Sequence, residues 1–439
     1  MTLRRQQGEG KGLGARHAAL QVLQSVFFNE RPLFEALERQ IGKAPLDARD
    51  TAFARAIVMM VLRRLGEIDS VIANFLREPL PVRSGPAEII LRMACAELLF
   101  MDVAPHAAVS SAVELANRDP RARHFKGLIN AVSRKIGAEG KQVVESLDRE
   151  QVSLPAWAWD LLSAQYGEAT ARAVARAHAV EPTLDITVAR DPEKWAEALQ
   201  AQLLPTGSLR RATGGRVEDL PGYEAGEWWV QDAAAAMPAM LLGDVKGMNV
   251  IDLCAAPGGK TAQLAAAGAQ VTAVDLDFKR MSRVIQNASR LGLEIKCEVA
   301  DARTWRPASP ADAVLLDAPC SATGTLRRHP EIFWRKDLSD ILAQAGQQHD
   351  LLRAAAEMVK PGGLLVYCVC SLAREESEEI VDAFLKTAPD FRREPVQPGE
   401  LGGAAELLTP IGDLRTLPSH WLEQGGMDGF YAARLRRTA

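Results

Sequence analysis

Two short stretches, LLDAPCSATG at 315–324 and YCVCSL at 367–372, each carry an apolar run to a cysteine. Cys320 and Cys370 thereby stand just past strand ends, where the ligands of a parallel sheet sit. Four roles compete for such thiols. Burial as a small hydrophobe is the ordinary fate of a free cysteine, but the flanking Pro, Ser and Gly mark exposed loops. A zinc site needs about four N or S ligands, and His329 and Cys368 stand at no familiar ligand spacing, so no metal is expected. A redox pair more often takes the form C-x-x-C. Nucleophilic catalysis fits best. An unperturbed thiol with a pKa near 8.5 is only about 3% ionised at pH 7, so a nucleophile here calls for local stabilisation. The first N–H groups of a helix starting after Ser371 would offer it, and the acids Glu375, Glu376, Glu378 and Glu379 would oppose it.

The co-reactant is read from the preceding strands. Asp252–Leu264 reads DLCAAPGGKTAQL, a tight turn of small residues at a helix N-terminus, where free N–H groups meet a ligand. A Walker loop would need glycine at 254, where Cys254 stands, and no G-x-G-x-x-G is present. The loop therefore suits a ligand with fewer negative charges than ATP or NAD. Asp275 ends the second strand, where a carboxylate accepts hydrogen bonds from both ribose hydroxyls. Asp301, after the third strand, is placed to address an adenine edge. Strand-ending acids in register with this turn favour S-adenosylmethionine. That donor explains the thiols: carbon 5 of a pyrimidine is too poor a nucleophile for a methylsulfonium until a thiolate adds to carbon 6 and makes it enamine-like. The carbon-5 proton must then leave and the thiolate be eliminated, which calls for a base or a second assisting group.

These loops need a parallel sheet to hold them, and the pattern from 231 to 439 supplies it. Strands read at 250–253, 271–275, 296–299, 313–316 and 364–367 alternate with helices, the fourth gap being filled by a helix near 339–358. A strand at Asp428–Tyr431 closes this α/β domain antiparallel. Residues 146–230 form a small α+β domain, with one helix running from 154 to about 178, another from Trp195 to Leu203, and strands at 185–188, 209–211 and 228–230. Trp157, Trp159, Trp195, Trp228 and Trp229 fall in or beside this segment, and core packing outweighs base stacking for most of them. Residues 1–145 read as an all-α bundle, with apolar positions at three-and-four spacing and breakers at Pro32, Pro79, Pro81, Pro105 and Pro120. Cys95 lies on an apolar face there as a buried small hydrophobe.

Composition limits the setting. Net charge is −4, but residues 1–150 hold 22 Lys and Arg against 18 Asp and Glu, a mild basic excess compatible with nucleic acid. The longest apolar stretch, Ala233–Leu242, is too short to cross a bilayer and contains Pro238. The N-terminus lacks the apolar core of a signal peptide, and the six cysteines show no framework spacing, so a cytoplasmic monomer without disulfides is expected.

LCAAPGGKT, AVDLD, LLDAPCSATG, RRHPE and YCVCSL, in this order and spacing, resemble the RNA cytosine-5 methyltransferases of the Sun/Fmu/NOP2 type over about 200 residues. The helical N-terminal third, notably FKGLINAVSRKI at 125–136, resembles the antitermination factor NusB. The pairing of the two implies a NusB-like RNA-binding bundle, a small recognition domain and a Rossmann-like S-adenosylmethionine-dependent domain acting on small-subunit ribosomal RNA. The resemblance makes Cys370 the nucleophile and Cys320 the residue that assists product release. Cys254, Ala255, Ala256, Pro257, Gly258, Gly259 and Lys260 would hold the methionine part of the donor, Asp275 its ribose and Asp301 its adenine end. Asp317 would lie beside both the cytosine and the cofactor, with Lys260 also at the site. Arg327, Arg328 and His329 would meet phosphates flanking a flipped base. Two departures touch the nucleophile: Val369 replaces the usual Thr, and Cys368 adds a third thiol. Two alternatives remain open, a transfer RNA substrate and a NusB-like binding module with a silent methyltransferase domain.

Overall fold

The computed structural model of the protein describes residues 12–212 and 214–438; most of the N-terminal stretch read for a signal peptide, residues 1–11, lies outside them. The described chain divides into two compact units, one running to Asp160 and including His329–Arg335, the other comprising Leu161–Arg328 and the chain from Lys336 onward.

The first unit is helical throughout. Its principal helices are α1 (Leu13–Phe28), α2 (Leu33–Gln40), α3 (Ala48–Arg63), α4 (Leu65–Phe75), α5 (Ala87–Leu99), α6 (Pro105–Arg118) and α7 (Lys126–Ser146). The breakers act where their chemistry places them: Pro32 caps α2 and Pro105 opens α6, positions that cost no intrahelical hydrogen bond. Ala15, Ala19, Val22, Leu23 and Val26 form the buried stripe of α1, and Cys95 lies fully buried on α5. Arg16 and Glu97 are buried together, the guanidinium Nε donating to both carboxylate oxygens at 2.9 and 3.0 Å. Gly66 opens α4 against the Val152 carbonyl, and a Cβ there would stand 1.7 Å from that oxygen.

The second unit holds two sheets. Strands β1 (Leu184–Val188), β2 (Gln202–Leu203), β3 (Leu209–Arg211) and β4 (Trp228–Val230) pair antiparallel in the order β2-β3-β1-β4 over Ile186, Leu209, Trp195 and Trp228. Two helix readings change in this region. The long helix expected from 154 is two, Ala156–Tyr166 and Glu168–Ala179, because Gly167 between them adopts a positive φ of 82°. The helix expected to reach Leu203 spans only Pro192–Ala198, with Gln200 at φ 51° turning the chain into β2. Trp159, Trp195, Trp228 and Trp229 are buried, and Trp157 donates its indole N–H to the Phe333 carbonyl at 3.1 Å, so packing is what these rings do here.

The large sheet comprises β5 (Asn249–Leu253), β6 (Gln270–Asp275), β7 (Ile295–Val299), β8 (Ala311–Asp317), β9 (Val359–Val369), β10 (Phe391–Arg393), β11 (Leu414–Thr416) and β12 (Phe430–Arg437). Its order is β10-β12-β9-β8-β5-β6-β7, with β11 beside β12. The five strands β5 to β9 are parallel, and β12 runs antiparallel to β9. The C-terminal strand is thus antiparallel as read, but it lies inside the sheet, flanked by the short β10 and β11, which the sequence pattern did not announce. Chain order reverses between β5 and β8, and the crevice outside the carboxyl ends of these two strands is where an open α/β sheet receives its ligand.

Candidate active site

The turn at the end of β5 draws on local backbone and on the strand and helix that follow. Cys254 and Gly258 take left-handed backbone (φ 59° and 101°), and the helix Gly259–Ala266 begins with no side-chain cap, leaving its first N–H groups for a ligand. Gly258 is required twice, since a Cβ would also lie 3.3 Å from the Val284 backbone. Asp275, buried at the end of β6, fixes the loop: its carboxylate accepts the Ala256 N–H at 3.1 Å and the Asp277 N–H at 3.0 Å. Each carboxylate oxygen accepts two hydrogen bonds, so capacity remains for hydroxyl donors. Arg280 donates to the Ala256 carbonyl at 2.6 Å. Burial, followed by the carboxylates of Asp275, Asp317 and Asp252, pushes the Cys254 thiol up to about 12, so it serves the loop as a neutral side chain.

Asp252, inside β5, was not singled out from sequence. It is fully buried, accepts the Thr261 hydroxyl at 2.5 Å on one oxygen and leaves the other unpaired. Burial pushes its carboxyl up to about 7, against the opposing Thr261 hydrogen bond. Lys260 reaches across to β8, its ammonium 2.7 Å from Asp317 Oδ2 and 4.9 Å from the centre of the Phe430 ring. Burial disfavours the Lys260 charge, but the Asp317 carboxylate outweighs it and holds the ammonium above its ordinary range. Cys368, buried within β9, points its thiol at the other Asp317 oxygen at 3.5 Å, and burial raises its pKa well above the thiol range. It lies against Asp317 as a neutral thiol.

Cys320 and Cys370 come together, Sγ to Sγ 3.4 Å, from the loops that follow β8 and β9. The hydrogen bond with Cys370, and then burial, raise the Cys320 pKa well above its ordinary value, so Cys320 keeps its proton. The loops are stitched by backbone: Gly324 N–H donates to the Cys370 carbonyl at 2.9 Å and Gly429 N–H to the Gly324 carbonyl at 2.8 Å. Gly324 has no alternative there, since a Cβ would sit 1.9 Å from the Gly429 carbonyl oxygen. The expected helix after Ser371 starts later, at Glu378, following a single turn at Arg374–Glu376. Glu376, read from sequence as an acid opposing thiolate stabilisation, is fully buried and hydrogen-bonded to residues of both loops.

The remaining predicted residues are scattered. Asp301 follows β7 with its carboxylate 2.6 Å from the Arg303 guanidinium, which together with the Arg303 N–H lowers its pKa. Arg327 is 1% exposed and donates to the Gly425 carbonyl, and that placement assigns it to the fold and not to a phosphate. Arg328 is half-exposed but paired with the buried Asp428 carboxylate. His329 belongs to the first unit, edge-on to Phe34 with ring centres 5.0 Å apart. Among the described residues no group of three or more His, Cys, Asp or Glu is arranged to hold a metal ion, and no helix is long and apolar enough to cross a membrane.

A family model described as 16S rRNA methyltransferase RsmB/F matches residues 239–436, and the NusB family matches residues 13–137. Ribosomal RNA small subunit methyltransferase B of Pseudomonas putida is 33% identical over 97% of this chain and 99% of its own length, and that of Vibrio cholerae is 33% identical over 97% and 98%. The crystal structure of PH0851 superposes with a TM-score of 0.76 at 25% identity, covering 98% of this chain and 99% of its own. NSun6 from Pyrococcus horikoshii, solved with SFG, superposes at 0.55 and 21% identity over 65% of this chain and 98% of its own, a likeness of fold. Near full-length identity of this order, with both family models matched in their proper places, shows that the chain belongs to the ribosomal RNA small subunit methyltransferase B family of rRNA methyltransferases.

Proposed function

We propose that the protein methylates carbon 5 of a cytosine in small-subunit (16S) ribosomal RNA, using S-adenosylmethionine and a covalent bond from Cys370 to carbon 6 of the base. One observation carries this reading: two thiols 3.4 Å apart at the ends of adjacent strands, beside a Lys260–Asp317 ion pair. A methyltransferase that modifies an exocyclic nitrogen or a ribose hydroxyl has a nucleophile in its substrate and no use for a thiol pair. A ring carbon has none until a thiolate adds.

The donor set fits S-adenosylmethionine, which when bound supplies a methyl group on a positively charged sulfur. The uncapped helix start and the loop Cys254–Lys260 hold its methionine part, Asp275 its ribose, Asp301 its adenine end and Asp317 the side facing the base. Cys370 bonds to carbon 6 and pushes electron density to carbon 5. Lys260, held charged by Asp317, places positive charge beside the ring. Carbon 5 then takes the methyl group, the donor leaving as a neutral thioether, and gives its proton to water; that carbon–hydrogen electron pair restores the 5,6 double bond while the carbon 6–sulfur pair leaves with Cys370 as thiolate. Cys320, which keeps its proton at 3.4 Å, donates a hydrogen bond to that departing sulfur. The same reading gives residues 1–145 to RNA binding, 146–230 to substrate recognition and 231–439 to catalysis, in a monomer working in the cytoplasm.

The product identifies the reaction. Unmodified small-subunit rRNA incubated with protein and labelled donor, then digested to nucleosides, is expected to yield label in 5-methylcytidine; label in N4-methylcytidine or in a ribose methyl refutes the proposal.

A further inference from the structure

Glu376 has no place in the chemistry above, yet its carboxylate joins the two cysteine loops. Its carboxylate is fully buried, and its partners are neutral donors from three separate segments. One oxygen accepts the Ser321 N–H at 2.7 Å and the Gln348 amide at 3.1 Å. The other accepts the hydroxyls of Ser321 and Ser371. Ser321 follows Cys320 and Ser371 follows Cys370, so a single carboxylate grips the residue next to each thiol. Gln348, from the helix Leu338–Glu357, also donates to the Pro319 carbonyl at 2.9 Å, on the other side of Cys320. Thr323 and Leu372 add a parallel stitch, the Leu372 N–H donating to Thr323 Oγ1 at 2.9 Å.

We propose that Glu376 is a positioning residue that sets the distance between Cys320 and Cys370, and so couples release of the product to its formation. The inference rests on the covalent reading above. Two loops from different strands have no covalent reason to keep their thiols at 3.4 Å. An acceptor-only group with four lone-pair sites, meeting four donors, holds them there through charge-assisted hydrogen bonds. Glu376→Gln keeps the shape but turns two of those acceptor sites into donors, which either oppose the Ser321 N–H and the Gln348 amide or force both serine hydroxyls to reverse and accept, and it removes the charge that strengthens all four bonds. The loops lose register, and displacement of about 1 Å between reacting groups costs on the order of a hundredfold in rate.

The test is a double-mutant cycle on the release step. Wild type, Glu376→Gln, Cys320→Ala and the double variant are given unmodified small-subunit rRNA and S-adenosylmethionine in single turnover, and decay of the covalent RNA–protein adduct is followed on denaturing gels. Expected is slower adduct decay in Glu376→Gln by roughly tenfold to a hundredfold, with unchanged affinity for S-adenosylhomocysteine, and no further slowing when it is added to Cys320→Ala. Glu376→Asp, which keeps the acceptors, recovers part of the decay rate. Multiplicative slowing in the double variant, or equal loss of S-adenosylhomocysteine binding in both Glu376 variants, overturns the positioning role in favour of a general effect on the fold. Absence of any adduct in wild type overturns the covalent reading itself, and this inference with it.

Discussion

Cys95 and the pair Cys320–Cys370 are the same residue type under opposite conditions. Cys95 sits on α5 within an apolar helical core, fully buried, its pKa raised first by that burial. Cys320 and Cys370 sit on loops at strand ends, surrounded by serine hydroxyls, backbone N–H groups and a buried carboxylate. A helix presents a thiol to its neighbours at a spacing fixed by packing, and nothing distinguishes it from alanine. A strand end stops the chain where ligands bind and lets two distant segments bring sulfur to one point. The lesson is that the sequence context of a cysteine, apolar run then Asp-x-Pro or Ser, says more about its use than the count of cysteines does.

The sharpest way to break this contrast is to remove a thiol from each region. Cys370→Ala should lower methyl transfer to small-subunit rRNA by about four orders of magnitude or more, the scale on which loss of a covalent nucleophile falls, while Cys95→Ala transfers methyl at the wild-type rate. Its cost lies in stability, about 1–2 kcal/mol from the lost packing, read as a lower urea midpoint at unchanged slope. Comparable activity losses in the two variants would erase the distinction.

A second contrast concerns buried acids. In the bundle, Glu97 is neutralised by Arg16 lying against it, whereas Asp252 in β5 has a hydroxyl on one oxygen and nothing on the other. Its carboxyl, near 3.9 in an unfolded chain, titrates at about 7 in the fold. The folded state therefore binds the proton more tightly, and the resulting stability is complete below pH 4 and lost as pH rises through 7. Asp252→Asn does not titrate. Its stability relative to wild type should rise across pH 4 to 8 by up to about 4 kcal/mol, measured by urea unfolding at each pH; a flat difference would show that the carboxyl is not held neutral.

Much of the site was legible because its logic is local. The PGG turn after β5, Asp275 and the two cysteine loops follow strand ends visible as apolar runs, and the structure brings Lys260, Asp317, Cys320 and Cys370 together. What was hidden depends on tertiary contact. Glu376 sits in REESEE, read only as acids opposing stabilisation of a thiolate, and only folding shows that its carboxylate turns inward; the serine after each of the two loop cysteines was the available signal. Arg327 in RRH reads as a phosphate clamp, but the chain from 425 to 428 folds over it and its neighbour Arg328. β10 and β11, three residues each, are too short to show alternation. Gly167 was visible in the sequence, but a single glycine inside a helical pattern is tolerated often enough that its left-handed backbone did not stand out.

The division of labour between the two thiols is the centre of the account, and trapping it is direct. Cys320→Ala and Cys370→Ala are incubated with unmodified small-subunit rRNA and S-adenosylmethionine, and covalent RNA–protein species are scored on denaturing gels. The account predicts a stable adduct with Cys320→Ala and none with Cys370→Ala. An adduct with Cys370→Ala and none with Cys320→Ala would contradict it by exchanging the two roles.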